Sequence, residues 1–182
     1  MRQRDCILDT NVYGELLTER NSVEIIEKIR EDKSINIYGL DLIEKELKET
    51  PIEVRYQNRL LKEAVLSIYK EIINEQIPLF PLAKYLASEY YIEFDRLRNS
   101  GKYHKSLSQK IKKYKEADLK VDFQIIAIAS LKSIDIVVST DQRTILSQIA
   151  EDTYNKINSI NKLRTPKLVR YSDFIRRYTN EQ

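Results

Sequence analysis

Segments with the pattern of β-strands alternate with segments of helical periodicity along most of this chain. The strand-like runs occupy residues 5–9, 35–39, 134–140 and 167–171. Strands that are separated by helices pair in parallel, so the pattern predicts an α/β fold with a central parallel sheet. In such folds the functional side chains gather beyond the carboxyl ends of the strands. The residues that follow each strand are therefore the candidates for a functional site.

The segment 51–117 interrupts this alternation. Its apolar residues recur at helical spacing over 60–73 and again from Pro78 to residue 98, and no run in it has a strand pattern. A length of 182 residues is typical of one domain. We therefore predict a single domain over residues 1–182 with a largely helical insertion at about 51–117.

The residue counts exclude several chemistries. Three glycines form neither a dinucleotide-binding nor a phosphate-binding glycine-rich loop, and one His with one Cys excludes a His/Cys structural zinc site and an intrachain disulfide. Charged residues occur in 1–14 before any apolar run of signal-peptide length, and the longest apolar stretch, 125–131, is too short to span a membrane. We expect a cytoplasmic protein, with no membrane partner, whose chemistry depends on carboxylates.

Several acids occupy the positions where such chemistry is expected. Asp9 and Asp141 follow predicted strands, and parallel strands end at the same edge of a sheet. Asp122 lies at the start of a predicted helix, 121–132, which is apolar almost all round and therefore buried, and Asp118 lies one turn earlier as a supporting group. Each acid also fits a helix N-terminus, where the helix dipole stabilises it by about 0.3–1 kcal/mol.

Glu46 stands out by its position around its predicted helix. At about 100° per residue it falls inside the apolar arc of Leu42, Ile43 and Leu47. A carboxylate on a buried face needs a partner, which favours a functional role. The alternative is an ion-paired residue at the rim of that arc.

Charge is distributed unevenly along the chain. The net charge of +3 divides into +7 over 98–115, +5 over 162–177 and −9 over the remainder. Basic tracts beside an acidic remainder suggest that the protein binds an anionic polymer next to a carboxylate-rich site. The simpler alternative is that each basic tract is the solvated face of a helix. The residues that we predict to contact nucleic acid are Arg98, Lys102, Lys105, Lys110, Lys112, Lys113 and Lys115.

Four short motifs follow one another along nearly the whole chain. They are Ile-Leu-Asp9-Thr-Asn11, Glu46-Leu47, Asp122-Phe-Gln-Ile-Ile-Ala-Ile-Ala129 and Val-Val-Ser139-Thr-Asp141. Together they resemble the ordered motifs of PIN-domain nucleases, especially VapC-like toxins of type II toxin–antitoxin pairs and related archaeal and bacterial PIN proteins. The resemblance implies a three-layer α/β/α fold, although the insertion is longer than the compact toxins need. It assigns the catalytic, metal-binding acids as Asp9, Glu46, Asp122 and Asp141, and the supporting polar residues as Asn11 and Ser139.

Carboxylates without His or Cys suit the hard cations Mg²⁺ and Mn²⁺. We expect one or two such ions to orient a scissile phosphate and to lower the pKa of a bound water, which hydrolyses a phosphodiester bond. The resemblance implies RNA as the substrate, a homodimer, and a small antitoxin protein as a partner. The open alternative is a PIN-like fold that binds RNA or protein without catalysis. A haloacid-dehalogenase-like phosphatase is disfavoured because Asn11 stands where that class needs Asp, and a receiver-like domain fits the insertion poorly.

Overall fold

The computed structural model describes residues 2–51, 55–56, 59–101, 103 and 115–179. The chain divides into two compact units. The first unit comprises Met1–Pro78, Ile136–Thr140 and Val169–Gln182, and the second comprises Leu79–Asp135 and Asp141–Leu168.

The strands form two sheets. They are β1 (Arg4–Leu8), β2 (Ile35–Leu40), β3 (Arg55–Tyr56), β4 (Arg59–Leu60), β5 (Glu75–Ile77), β6 (Ile136–Ser139) and β7 (Lys167–Arg170). Strands β3 and β4 form a short antiparallel pair, and the other five form a parallel sheet in the order β5-β2-β1-β6-β7. Strand β1 is central because its apolar residues can be buried on both faces, and Cys6, Ile7 and Leu8 are fully buried. The predicted α/β class with a parallel sheet is confirmed.

Helices follow most of these strands. In the first unit they are α1 (Thr10–Thr18), α2 (Ser22–Glu31), α3 (Asp41–Glu49) and α4 (Leu61–Ile72); in the second, α5 (Pro81–Asn99), α6 (Glu116–Leu131) and α7 (Gln148–Ile160); and in the first again, α8 (Tyr171–Ile175). Helix α2 is amphipathic, since it buries Ile25, Ile26 and Ile29 and exposes most of its charged residues. In the part of the chain that the structure describes, none of the helices has the length and apolar character to cross a membrane.

The second unit is built on an aromatic cluster where α5 packs against α6 and α7. The rings of Tyr90, Phe123 and Tyr154 meet edge to face, with centroids 5.1–6.3 Å apart. The buried hydroxyl of Tyr90 lies 2.5 Å from Asn158 Oδ1 and 3.2 Å from Ser130 Oγ. These hydrogen bonds satisfy the buried hydroxyl of Tyr90.

The structure differs from the sequence pattern in the segment 51–117. Strands β3, β4 and β5 lie in this segment, where the pattern indicates no strand. Strand β5 pairs with β2 in the parallel sheet. Its three residues are too few to show an alternation, and only Ile77 among them is buried. The helix predicted to begin at Pro78 begins at Pro81, because proline suits the first position of a helix, where its missing N–H is not needed.

Glu93 on α5 is a buried carboxylate held by two cations. It accepts hydrogen bonds from Arg96 Nε and Nη2 at 2.9 and 2.7 Å and from Lys156 Nζ at 3.0 Å. The hydrogen bonds from Arg96 are the largest cause that lowers its pKa, from an ordinary 4.5 to about 2. A pKa that is lower in the folded state contributes stability above pH 4.5, and this contribution is lost as the pH falls toward about 2.

We therefore expect the free energy of unfolding to fall in acid between pH 4.5 and about 2, and to fall less in a Glu93→Gln variant. Urea unfolding of the wild type and the variant, followed from pH 7 to pH 2, measures this difference. Glu31→Gln, at an exposed position, is the control and should keep the wild-type slope. A Glu93→Gln profile that is parallel to the wild type would contradict the prediction.

Candidate functional site

Asp9 lies at the carboxyl end of the central strand β1 and is only 3% exposed. The register of β1 against β6 pairs Leu8 with Val138, so the next residues along, Asp9 and Ser139, lie opposite each other. Ser139 Oγ donates to Asp9 Oδ2 at 2.8 Å, and Thr10 N donates to Asp9 Oδ1 at 2.8 Å. Asp9 is therefore both the N-cap of α1 and a buried carboxylate at the edge of the sheet where functional groups gather.

Glu46 on α3 is joined to Asp9 through Thr10. The Thr10 hydroxyl donates to Glu46 Oε2 at 2.5 Å, while its backbone N–H donates to Asp9. Glu46 is half-buried on the face of α3 that buries Leu42, Ile43 and Leu47, as its place in the apolar arc predicts. Thr10 is the residue that the sequence analysis missed as part of the site, and its position directly after Asp9 is the one signal that could have identified it.

A neighbouring acid on the same helix, Glu44, has a different role. Gln76 Nε2 donates to Glu44 Oε2 at 2.9 Å and to Asp41 Oδ1 at 2.6 Å, and Lys48 pairs with Glu44 at 2.5 Å. The hydrogen bonds from Lys48 and then Gln76 lower the pKa of Glu44. These contacts join α3 to β5. They give Glu44 a structural role that Glu46 does not share.

Asp141 is the cap of a turn in the second unit. Its Oδ1 accepts from Arg143 N at 2.6 Å and Thr144 N at 3.1 Å, and its Oδ2 accepts from Thr144 Oγ1 at 2.6 Å. Asp141 is not at a helix N-terminus, because the next helix begins only at Gln148, where Ser147 is the N-cap. The intervening residues form turns because the Asp141 side chain takes up the first free N–H groups.

Asp122 lies further into its helix than predicted. Helix α6 begins at Glu116, so Asp122 is half-buried in the second turn and not in the first. Asp118 is exposed, and its Oδ2 accepts from Lys115 N at 2.8 Å as part of a capping box. Asn11 is exposed in the first turn of α1.

The structure thus brings together part of the predicted set. In the first unit Asp9 contacts Ser139 and is joined through Thr10 to Glu46. Asp122 and Asp141 belong to the second unit. Within the described ranges, no three acidic, His or Cys side chains form a group that could hold a metal ion. The donor chemistry of carboxylate and hydroxyl oxygens nonetheless suits a hard cation.

Two fully buried groups near Asp9 stay protonated. The hydroxyl of Tyr13, one turn after Asp9, has no hydrogen-bond partner among the described residues. Burial, followed by the proximity of Tyr69, Cys6 and Asp9, raises the pKa of Tyr13 well above its ordinary value. Burial also raises the pKa of the Cys6 thiol to about 12. Because a thiol must be ionised to act as a nucleophile or a metal ligand, Cys6 is a residue of the core.

The predicted nucleic-acid-binding tract is described only at its two ends. Arg98 is half-buried and pairs with Asp95 at 2.5 Å, and Lys115 is exposed before α6. The remaining predicted residues, Lys102, Lys105, Lys110, Lys112 and Lys113, lie outside the described residues.

These observations define an α/β protein with a parallel sheet and a buried, hydrogen-bonded carboxylate at the end of its central strand. No protein-family model matches the sequence, and no curated protein matches it. The fold is similar to solved structures, among them the crystal structure of VapBC2 from Rickettsia felis bound to a DNA fragment from their promoter. That comparison has a TM-score of 0.52 and 11% sequence identity, and it covers 91% of this chain and 98% of that chain. At this identity the likeness shows a shared fold.

Proposed function

We propose that this protein is a metal-dependent endoribonuclease of the PIN type that hydrolyses RNA phosphodiester bonds. The observation that carries the proposal is the buried Asp9 at the carboxyl end of the central strand, bonded to Ser139 and joined through Thr10 to Glu46. The fold that the chain shares with a VapBC2 structure supports it. The protein acts either as the toxin of a type II toxin–antitoxin pair or as an RNA-processing nuclease.

Mg²⁺ or Mn²⁺ is the proposed cofactor, with Asp9 and Glu46 among its ligands. Asp122 and Asp141 are further ligands predicted from the sequence, and their role in the reaction stays a prediction. A bound ion would supply positive charge beside the scissile phosphate and lower the pKa of a water. Ser139 orients the Asp9 carboxylate and Thr10 orients that of Glu46, since outer hydrogen bonds of this kind hold ligands in place.

RNA, a second copy of the chain and a small antitoxin protein are the proposed partners. The basic tract over 98–115 would neutralise the phosphates of the RNA backbone. The VapBC2 complex in the compared structure makes an antitoxin partner plausible. Asn11 and Ser139 are the proposed supporting polar residues, and we assign Asp118 to the capping of α6.

The first test is cleavage of structured and single-stranded RNA by the wild-type protein with Mn²⁺, Mg²⁺ or EDTA. We expect cleavage with either metal and none with EDTA. Mn²⁺ at about 100 times its dissociation constant should also stabilise the fold by about 2.7 kcal/mol, which thermal unfolding measures. Absence of both cleavage and stabilisation would contradict the metal site.

A second candidate function is a non-catalytic module that binds RNA or protein. It is favoured by the caps that Asp9 and Asp141 form, because each accepts hydrogen bonds from backbone N–H groups and this role needs no metal. If the protein is such a module, it should bind RNA independently of metal and should not cleave the RNA.

A further inference from the structure

A cavity of about 220 Å³ lies in the second unit between α5 and α6. Each helix contributes one face to it, because the lining residues recur at helical spacing. The residues that give the cavity its chemistry are Lys84, Ser88 and Tyr91 from α5 and Lys120, Phe123 and Gln124 from α6. None of them belongs to the carboxylate site proposed above.

The inner wall of the cavity carries a buried amide. Gln124 is 5% exposed, in the middle of a helix whose neighbouring residues are buried and apolar. Its side chain makes no hydrogen bond to any residue that the structure describes. Because the amide makes no such bond, its N–H groups can donate to a ligand in the cavity and its oxygen can accept from one.

The mouth of the cavity is positively charged. Lys84 and Lys120 are exposed, one on each helix, and neither forms an ion pair within the described part of the chain. Glu116 also lines the cavity, so the net charge of its lining is +1. Tyr91 is half-buried beside these lysines and offers an aromatic ring. Ammonium groups of this kind bind phosphate oxygens, and aromatic rings stack on bases.

We propose that this cavity binds one nucleotide of single-stranded RNA. The unpaired base enters toward Gln124 and Tyr91, and Lys84 and Lys120 hold its phosphate. The Gln124 amide can donate to and accept from the edge of a base. The volume is below the roughly 300–1,000 Å³ of sites for larger ligands and suits a single base. The choice of RNA rests on the proposed function, but binding here requires neither metal nor the acids.

The test measures binding of a fluorescent, unstructured RNA in EDTA, so that no cleavage takes place. Gln124→Leu keeps the side-chain volume and the net charge, and we expect it to weaken binding about 5- to 10-fold with an unchanged salt dependence. Lys84→Ala should weaken binding and reduce the slope of log affinity against log salt by about 1. The matched control is Lys33→Ala, which removes an exposed lysine of the first unit and should change neither.

Nucleoside monophosphates and inorganic phosphate serve as competitors for the labelled RNA. We expect a monophosphate to compete more strongly than inorganic phosphate, because only the monophosphate reaches Gln124. The surface variant Lys84→Ala/Lys120→Ala keeps the test valid if Gln124→Leu does not fold, since both lysines are exposed. Wild-type binding by this double variant, or equal competition by inorganic phosphate, would overturn the proposal.

The outcome of this binding test is independent of the outcome of the cleavage test for the nuclease proposal. Metal-dependent cleavage by the wild type, with binding unaffected by the cavity variants, would refute the cavity alone. Binding that is sensitive to Gln124 and Lys84, in a protein that cleaves no RNA, would support the cavity and refute the nuclease.

Discussion

Replacing Asp9 with Asn should reduce Mn²⁺-dependent RNA cleavage at least about 100-fold while the protein stays folded. Changes to groups that only support a metal ligand already cost about 10- to 100-fold, so the loss of a ligand's charge should cost as much or more. The fold should survive because the amide oxygen of Asn can still accept from Thr10 N and cap α1. Initial rates of cleavage, with thermal unfolding of both proteins, provide the measurement.

Two variants of helix α3 serve as controls for this result. Glu46→Gln should also lose cleavage, because Glu46 is joined to Asp9 through Thr10. Glu44→Gln should retain cleavage, because Glu44 is engaged with Gln76 and Lys48. RNA binding in EDTA should be unaffected by Asp9→Asn. Equal cleavage by Asp9→Asn and the wild type would refute the site, whereas RNA binding without cleavage by either protein would support the non-catalytic module.

Replacing Gly39 with Ala should destabilise the protein by about 1–3 kcal/mol, the usual cost of overpacking a core. A Cβ at Gly39 would lie 2.4 Å from Tyr69 Oη and 2.9 Å from Ile73 Cδ1. Tyr69 is 1% exposed, and its hydroxyl donates to Leu40 O at 3.2 Å. The ring therefore cannot move away without losing a buried hydrogen bond. Urea unfolding of the variant and the wild type measures the difference.

Gly14→Ala is the matched control for Gly39→Ala. Gly14 lies inside α1, and apart from its chain neighbours and the nearby backbone of the helix no atom of the described residues is within 4 Å of the position of an added Cβ. We expect this change to stabilise the protein by up to about 1 kcal/mol, because alanine is a better helix former than glycine. A Gly39→Ala protein as stable as the wild type would contradict the packing argument.

The sequence predicted those elements of the fold whose signal is local. The runs at 5–9 and 35–39 correspond to β1 and β2, because β1 ends in a buried apolar run and β2 alternates buried with half-buried residues, and both patterns are local. Strand β5 was not predicted, because it is defined by its pairing with β2 and its own three residues carry little strand pattern. The start of α6 was placed too late because its first turn is polar and depends on the Lys115–Asp118 capping box.

The candidate site was predictable residue by residue, but its contacts were not. Asp9 and Glu46 were predicted from their places after a strand and on a helix face, and Ser139 was predicted from the resemblance to PIN-domain nucleases. The hydrogen bond between Asp9 and Ser139 joins residues 130 positions apart and depends on the register of β1 against β6. The bond between Thr10 and Glu46 depends on how α3 meets the start of α1.

The sequence by itself determined the parallel α/β class and the donor chemistry of the site, because periodicity and residue type are properties of neighbouring residues. Only the tertiary structure decided that Thr10 links Asp9 to Glu46, that Glu44 joins α3 to β5, and that Asp118 caps a helix. It also created the cavity beside Gln124 from one face of each of two helices. Such contacts follow from strand register and helix packing, which bring together residues that are distant in the chain and leave no local pattern.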